Sequence, residues 1–357
     1  MSTPSSTVAA EARASVSPIG ALDQVQALRR QGQRRLWLLA ALLIAVTSAS
    51  LFIGRYPRPY WMSPWVLGED AMAQQIVWAL RMPRVLMAVL LGAALGGAGI
   101  TLQMIFRNPL VEPGFLGVSQ GAAFGAAFSI VFLGSASLYV QGLAMLFAFA
   151  GLGLSYFLAQ RLRYGGWVLR LVLAGVAVSA IFSAGVGLLK YLADPLTELP
   201  EITYWLLGGL WSVTWRDPLL VAPVVLSSLT VLLLMRWRLN LLALNEETSH
   251  SLGVRPVFER ALMLTAAVAA TASVVAIAGI VGWVGLLVPH IVRRLVGANT
   301  QLSLPAAMLG GALFVVLCDD LARSMTAGEI PLGILTSLLG AAGFLFVLAG
   351  NPIRTRE

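Results

Sequence analysis

The chain has 357 residues, 58% of them hydrophobic and only 11% charged. A soluble domain is about one-quarter charged, so this composition excludes an ordinary soluble globule and points to a polytopic membrane protein. The net charge of +8 falls mostly at alternate ends of apolar runs, as a positive-inside bias would place it, and forms no single patch for nucleic acid.

Residues 1–33 are rich in Ser, Ala and Gln, lack periodicity, and read as a disordered cytoplasmic tail. Residues 34–357 read as a single transmembrane domain. Arg29, Arg30, Arg34 and Arg35 precede the first apolar run, Leu36–Gly54, an uncleaved span with its N-terminus inside. Arg55–Leu80 is an outer segment whose Tyr56, Tyr60, Trp61 and Trp65 suit an interfacial belt. Spans two and three are Val85–Phe106 and Gly114–Phe132. Each has about 20 residues, which at about 1.5 Å per residue crosses roughly 30 Å of hydrocarbon. Between them, Arg107–Pro113 would leave backbone groups unpaired in lipid, so a turn at an interface is expected. The four-residue spacing of Gly92/Gly96 and Gly117/Gly121/Gly125 lets helix backbones approach closely.

Span four, Leu138–Gln160, ends inside at Arg161 and Arg163, and span five is Val168–Leu189. After the polar turn Lys190–Pro200, Glu201–Val213 is too short to cross and is placed at the outer surface. Span six, Pro218–Met235, returns to Arg236 and Arg238. Asn240–Arg260 is the longest inner polar segment. Leu241, Leu242, Leu244 and Leu252 can face one side of short helices there, with Glu246, Glu247 and His250 on another. By its residues alone it is either a solvated loop or a helical contact surface. Ala261–Pro289 would reach about 43 Å as one helix. Two short spans meeting at Gly279–Gly285 would instead place both Arg255/Arg260 and Arg293/Arg294 inside; the second is a full span or a re-entrant piece. Span nine, Pro305–Leu321, ends outside at Asp319, Asp320 and Arg323. Ala327–Glu329 turns outside, span ten is Pro331–Ala349, and Arg354 and Arg356 stay inside. The expected fold is an all-α polytopic membrane protein of about ten transmembrane helices with both termini cytoplasmic.

Chemistry-bearing constellations are missing. No Gly-x-x-x-x-Gly-Lys-Ser/Thr cradles phosphates, and no Ser/His/Asp set points to hydrolysis. The single cysteine, Cys318, and two histidines give no intramolecular disulfide and no metal-ligand spacing. His290, beside Pro289, reads as a packing residue. No paired carboxylates sit within the spans as a proton-coupled carrier would need, which weighs against a stand-alone secondary carrier or channel, the main alternative. An intramembrane enzyme is disfavoured for the same lack of a catalytic set.

One stretch carries a specific likeness. Arg81, Pro83, Arg84, Gln103, Asn108, Pro109, Leu110, Glu112, Pro113, Gly114, Leu116, Gly117, Val118, Ser119, Gly121 and Ala122 follow in order. This pattern resembles the permease subunits of ATP-driven (type II ABC) importers for ferric siderophores, haem and cobalamin. The likeness continues through Gly285, Leu286, Pro289, His290, Arg293 and Gly297. It closes with Asp319, Leu321, Ala322, Arg323, Glu329, Ile330, Pro331, Gly333 and Gly340, and it covers about residues 36–350.

The resemblance implies a cobalamin-importer-permease-like fold in a bacterial inner (plasma) membrane. It implies no catalysis and no bound cofactor in this chain, with ATP and magnesium used by partner ABC ATPases. Other implied partners are a periplasmic or lipoprotein substrate-binding protein, membrane lipids, and a second permease copy or a paralogue. Arg81, Arg84 and Arg323 would dock glutamates of the binding protein; by the residues alone they are equally headgroup contacts or local pairs with Asp319 or Asp320. Leu242, Leu244, Asn245, Glu246, Glu247, Ser249, Leu252 and Gly253 would form the ATPase-coupling segment, within 240–260. Asn108 and Leu110, with Val168 and Leu169 at the start of span five, would form the cytoplasmic gate. The family often has small hydroxyls where this chain has Val168 and Leu169, and Asn108 would otherwise cap a helix before a Pro turn. Gly175, Ser179, Ser183 and Gly187 would line the path, though small residues also mean close packing. Cargo stays open among ferric siderophore, the leading choice, haem, cobalamin and a metal oxyanion.

Overall fold

An apolar run in lipid has no hydrogen-bond partner but its own backbone, so it closes as a helix. The computed structural model describes residues 18–56, 60–244, 246–326 and 328–349 and is almost wholly helical. Helix α1 spans Pro18–Ser50. Residues 18–33, assigned from sequence to the tail, therefore continue the first helix; residues 1–17, and Arg354 and Arg356 at the other end, lie outside the described residues. The outer segment opens with a small antiparallel pair, β1 (Ile53–Gly54) and β2 (Tyr60–Trp61). It continues through α2 (Val66–Glu69), α3 (Ala71–Gln75) and a π-helical turn, Ile76–Arg81, directly into α4 (Met82–Ile105). Pro83 has no amide to donate to the turn before it, and the wide π turn takes up that mismatch.

α4 is the hub. Along it lies α14 (Thr300–Ser324), so close that a methyl on Gly92 would fall inside the carbonyl of Gly311, and one on Gly96 inside that of Ala307. A second group is α5 (Val118–Phe132), α6 (Ser137–Arg161) and α7 (Trp167–Leu192). Phe124, Phe147 and Phe182 nest between these three helices, with ring centroids 5.0–6.2 Å apart. The chain then forms α8 (Glu198–Leu207), α9 (Arg216–Leu234), α10 (Arg236–Leu242) and α11 (Glu246–Ser251). It ends with α12 (Pro256–Ala278), α13 (Val284–Val296) and α15 (Leu332–Ala349). α12 packs on α4, α9 and α6, and its contacts with α4 and α6 join the two groups.

Among the described residues, 6 helices are long and apolar enough to cross a membrane, the longest being the 35 residues Ala71–Ile105. Val118–Phe132 and Leu332–Val347 are shorter apolar helices. The 13 residues of α13 rise only about 20 Å. Ala261–Gly297 is thus one long helix plus a half-length one, broken where Gly279 adopts φ +67 and Trp283 φ +68. Of the stretch expected to turn at an interface, residues 107–110 are exposed. From Asn108 the chain returns alongside α4, and Pro113 packs beside Gly285, which also borders Leu95. Non-helical backbone is tolerated there because it is enclosed by protein and closes its own 3-10 turn, Pro113–Leu116.

Candidate functional site

Three regions hold the residues singled out above. At the outer end of α4, Arg84 donates through Nε to both oxygens of Asp319 at 3.0 Å and through Nη1 to both oxygens of Glu329 at 2.8 Å. Arg323 pairs with Asp320 one helical turn away and donates to the Ser50 carbonyl at 2.5 Å and hydroxyl at 2.7 Å. The Ser50 hydroxyl in turn donates to Asp320 at 2.6 Å. Arg81 has no carboxylate in its hydrogen bonds; it donates to the carbonyls of Leu51 at 2.9 Å and Tyr56 at 3.2 Å.

The three predicted arginines are therefore brought together, yet they are buried, at 6%, 9% and 7% exposure for Arg81, Arg84 and Arg323. They line an outer cavity of about 390 Å³, together with Arg55 and a single acid, Glu329. The local-pair alternative is realised for Arg323, whose helical spacing to Asp320 was visible in the sequence. The Arg84–Asp319–Glu329 clamp joins residues far apart in the chain and had no local signal, and neither did Ser50 or Arg55.

The segment expected to couple to the ATPase folds as α10 and α11. Leu242 is buried, whereas Leu244 and Leu252 are exposed, so these leucines do not share one face. The buried Ser249 hydroxyl donates to the Leu241 carbonyl at 2.7 Å and fastens α11 to α10. Gly253 takes φ +74 at the following turn. Asn245 lies outside the described residues, as do the side chains of Glu246 and Glu247. Beside this segment, Asn108 caps its own turn: its Oδ1 accepts the Leu110 amide at 2.9 Å. Leu110 is half exposed, Val168 half-buried and Leu169 exposed. The two candidate gate halves meet where Phe106 stacks on Trp167, with centroids 6.1 Å apart and planes 20° apart.

Along α7, the four predicted path residues separate. Gly175 is buried, and a methyl there would crowd the Phe115 carbonyl, so it serves packing rather than an open wall. Ser179 borders a cavity of about 310 Å³ shared with Glu112, Ser119, Gln120 and Thr271. Ser183 and Gly187 are exposed, on the face of α7 that no described residue covers. Glu112 was read only as part of a motif; it lines that cavity together with Val281 and Gly282 at the break before α13 and Gly285 at its start. His290 sits in packing, with Nδ1 2.7 Å from the Leu286 carbonyl and the ring edge-on to Phe344.

Known proteins resemble this chain over most of its length. The model of the FecCD transport family matches residues 42–350. The molybdate import system permease protein MolB of Haemophilus influenzae is 40% identical over 316 residues, 86% of this chain and 92% of that protein. The hemin transport system permease protein HmuU of Yersinia pestis is 37% identical over 343 residues, 92% of this chain and 98% of that protein. Among solved structures, an inward-facing conformation of an ABC transporter assigned to the metal-chelate type aligns with TM-score 0.83 at 39% identity. That alignment covers 89% of this chain and 100% of the other.

Proposed function

This chain belongs to the FecCD transport family, and on that premise we propose that it carries a metal chelate, a ferric siderophore foremost, across the bacterial inner membrane. Membership makes it a multi-pass permease subunit of a type II ABC importer and not an enzyme; the ATPase is a separate subunit, and a substrate-binding protein delivers the solute. In the proposed arrangement this chain pairs with a second copy or a paralogue, with both termini cytoplasmic. Arg81 lies at the docking cavity, and Asn240–Arg260 meets the ATPase. Asn108, Leu110, Val168 and Leu169 close the inner end of the path.

The observation that supports a bulky chelate is the uncovered face of α7. Val176, Ala177, Ala180, Ser183, Ala184 and Gly187 are exposed there, and none carries charge. Such a wall offers nothing to desolvate a compact dianion and suits a large, weakly charged solute. A second reading is molybdate. It is favoured by the basic outer cavity and by the cargo named for the Haemophilus relative. The deciding experiment is reconstitution of this chain with its ATPase and binding protein, followed by ATP-dependent uptake of radiolabelled ferric siderophore, haemin, cobalamin and molybdate. Preference for molybdate would overturn the chelate assignment. Transport without any ATPase would mean a stand-alone carrier.

A further inference from the structure

The coupling segment and the candidate gate touch at two places, and the contacts are made by residues that the reading above leaves without a role. Among the described residues Arg107 is one of three non-glycine residues with positive φ, at +50. Backbone held there is strained for a residue with a side chain and persists only where surrounding contacts demand it. Its guanidinium supplies them, donating to the carbonyl of Leu242 at 3.3 Å and to that of Leu244. These carbonyls lie at the C-terminal end of α10, where acceptors lack helical partners and a cation is favoured. The next residue is Asn108, which holds Leu110 in its turn. The far end of the segment makes the second contact. Arg260, in the second turn of α12, stands over the Trp167 ring, 5.6 Å from its centroid. Phe106 stacks on the same ring, and Trp167 directly precedes Val168 and Leu169.

We propose that Arg107 and Trp167 are positioning residues that tie the two ends of the coupling segment to the two halves of the cytoplasmic gate. A displacement of the segment by the ATPase reaches the gate through a guanidinium–carbonyl contact on one side and a ring clasped between Phe106 and Arg260 on the other, and no long helix need bend. α10 moves as a unit because Leu239 and Leu242 are buried beneath it. At its other edge Asn240 is bonded to Asn299 at 2.9 Å and to the Thr300 amide at 3.1 Å, so the same motion also bears on α14. The inference rests on the proposed roles of Asn240–Arg260 and of the gate.

The test uses the whole complex, purified with its ATPase and placed in lipid nanodiscs. Leu110→Cys and Leu169→Cys are introduced singly and their alkylation by a maleimide is timed, without nucleotide and with ATP plus vanadate; the native Cys318 is buried. In the otherwise unaltered chain the two rates should differ at least about fivefold, the lower bound of ordinary coupling. Arg107→Ala should bring that ratio close to one at Leu110→Cys, and Trp167→Ala should do so at Leu169→Cys. ATP hydrolysis should remain detectable in both, the check that the ATPase is still bound and loaded. Arg107→Lys, which keeps a cation at the same carbonyls, should restore part of the ratio; a residue that only stabilised the fold would not sort Lys from Ala this way. If Arg107→Ala does not assemble, Trp167→Ala and Arg107→Lys decide the question by the same ratio. Unchanged ratios in the alanine variants overturn the link while leaving the importer reading intact. No nucleotide response even in the unaltered chain would sink the coupling and gate roles, and the link with them.

Discussion

Arg81 and Arg84 sit one turn apart on a single helix, and their surroundings give them different work. Arg84 faces Asp319, whose side chain is 1% exposed. Arg84→Met would leave that buried carboxylate facing only Arg323, 3.8 Å away, a loss approaching about 3 kcal/mol. A lower thermal midpoint of the purified complex is the expected reading. Arg81 gives its hydrogen bonds to carbonyls, so the neutral Arg81→Gln should lower the midpoint less than Arg84→Met does and should weaken capture of the binding protein on nanodiscs. Unchanged capture would remove Arg81 from the docking surface. Substitution of Arg84 cannot test docking cleanly, because it breaks the clamp as well. A third contact titrates. The Tyr56 hydroxyl donates to Asp70 at 2.7 Å and, with the amides of Met72 and Ala73, holds that carboxyl below its ordinary range, while Tyr56 is pushed up. Because folding lowers the Asp70 pKa, the contact is complete above the ordinary carboxyl value of about 4 and is lost as pH falls through the lowered one. Amide exchange across 60–75 should therefore quicken only in acid below about pH 4, and Asp70→Asn should quicken it at neutral pH.

The helices show how far spacing alone carries. Gly92 and Gly96 announced a close crossing, but not its partner; the structure supplies Gly311 and Ala307 on α14. Gly311→Val would push a branched side chain into the Gly92 carbonyl, and we expect the chain to be lost from membranes or recovered without its ATPase. Gly142→Ala on α6, where an added methyl meets nothing within 4 Å, should be recovered at the normal level. Immunoblots of membrane fractions check both. Other features were not legible. The π turn before Pro83 and the 3-10 turn after Glu112 are answers to local conflicts between helix and backbone demand. No hydropathy period marks them.

At the scale of the whole molecule, the exposed face of α7 is open to lipid, a second permease chain or a solute, and a crosslink separates these. Ser183→Cys should crosslink to a second permease chain under mild oxidation: to its own kind if two copies pair, to a different chain if a paralogue does. No crosslink to any permease would remove α7 from the pairing surface. The amino-acid sequence by itself determined the membrane environment, the all-helical class and most helix positions. Those follow from apolar run length and from a backbone that must satisfy itself in lipid. It also determined the family, through ordered motifs in Arg81–Ser129 and after Gly285. Only the tertiary structure decided that Arg84 is spent on Asp319 and Glu329, that Gly175 packs while Ser183 stays open, and that Arg107 reaches the coupling segment. Each is a pairing across more than a hundred residues or a choice of helix face. Such choices depend on which neighbour arrives, and run length and spacing carry no record of that.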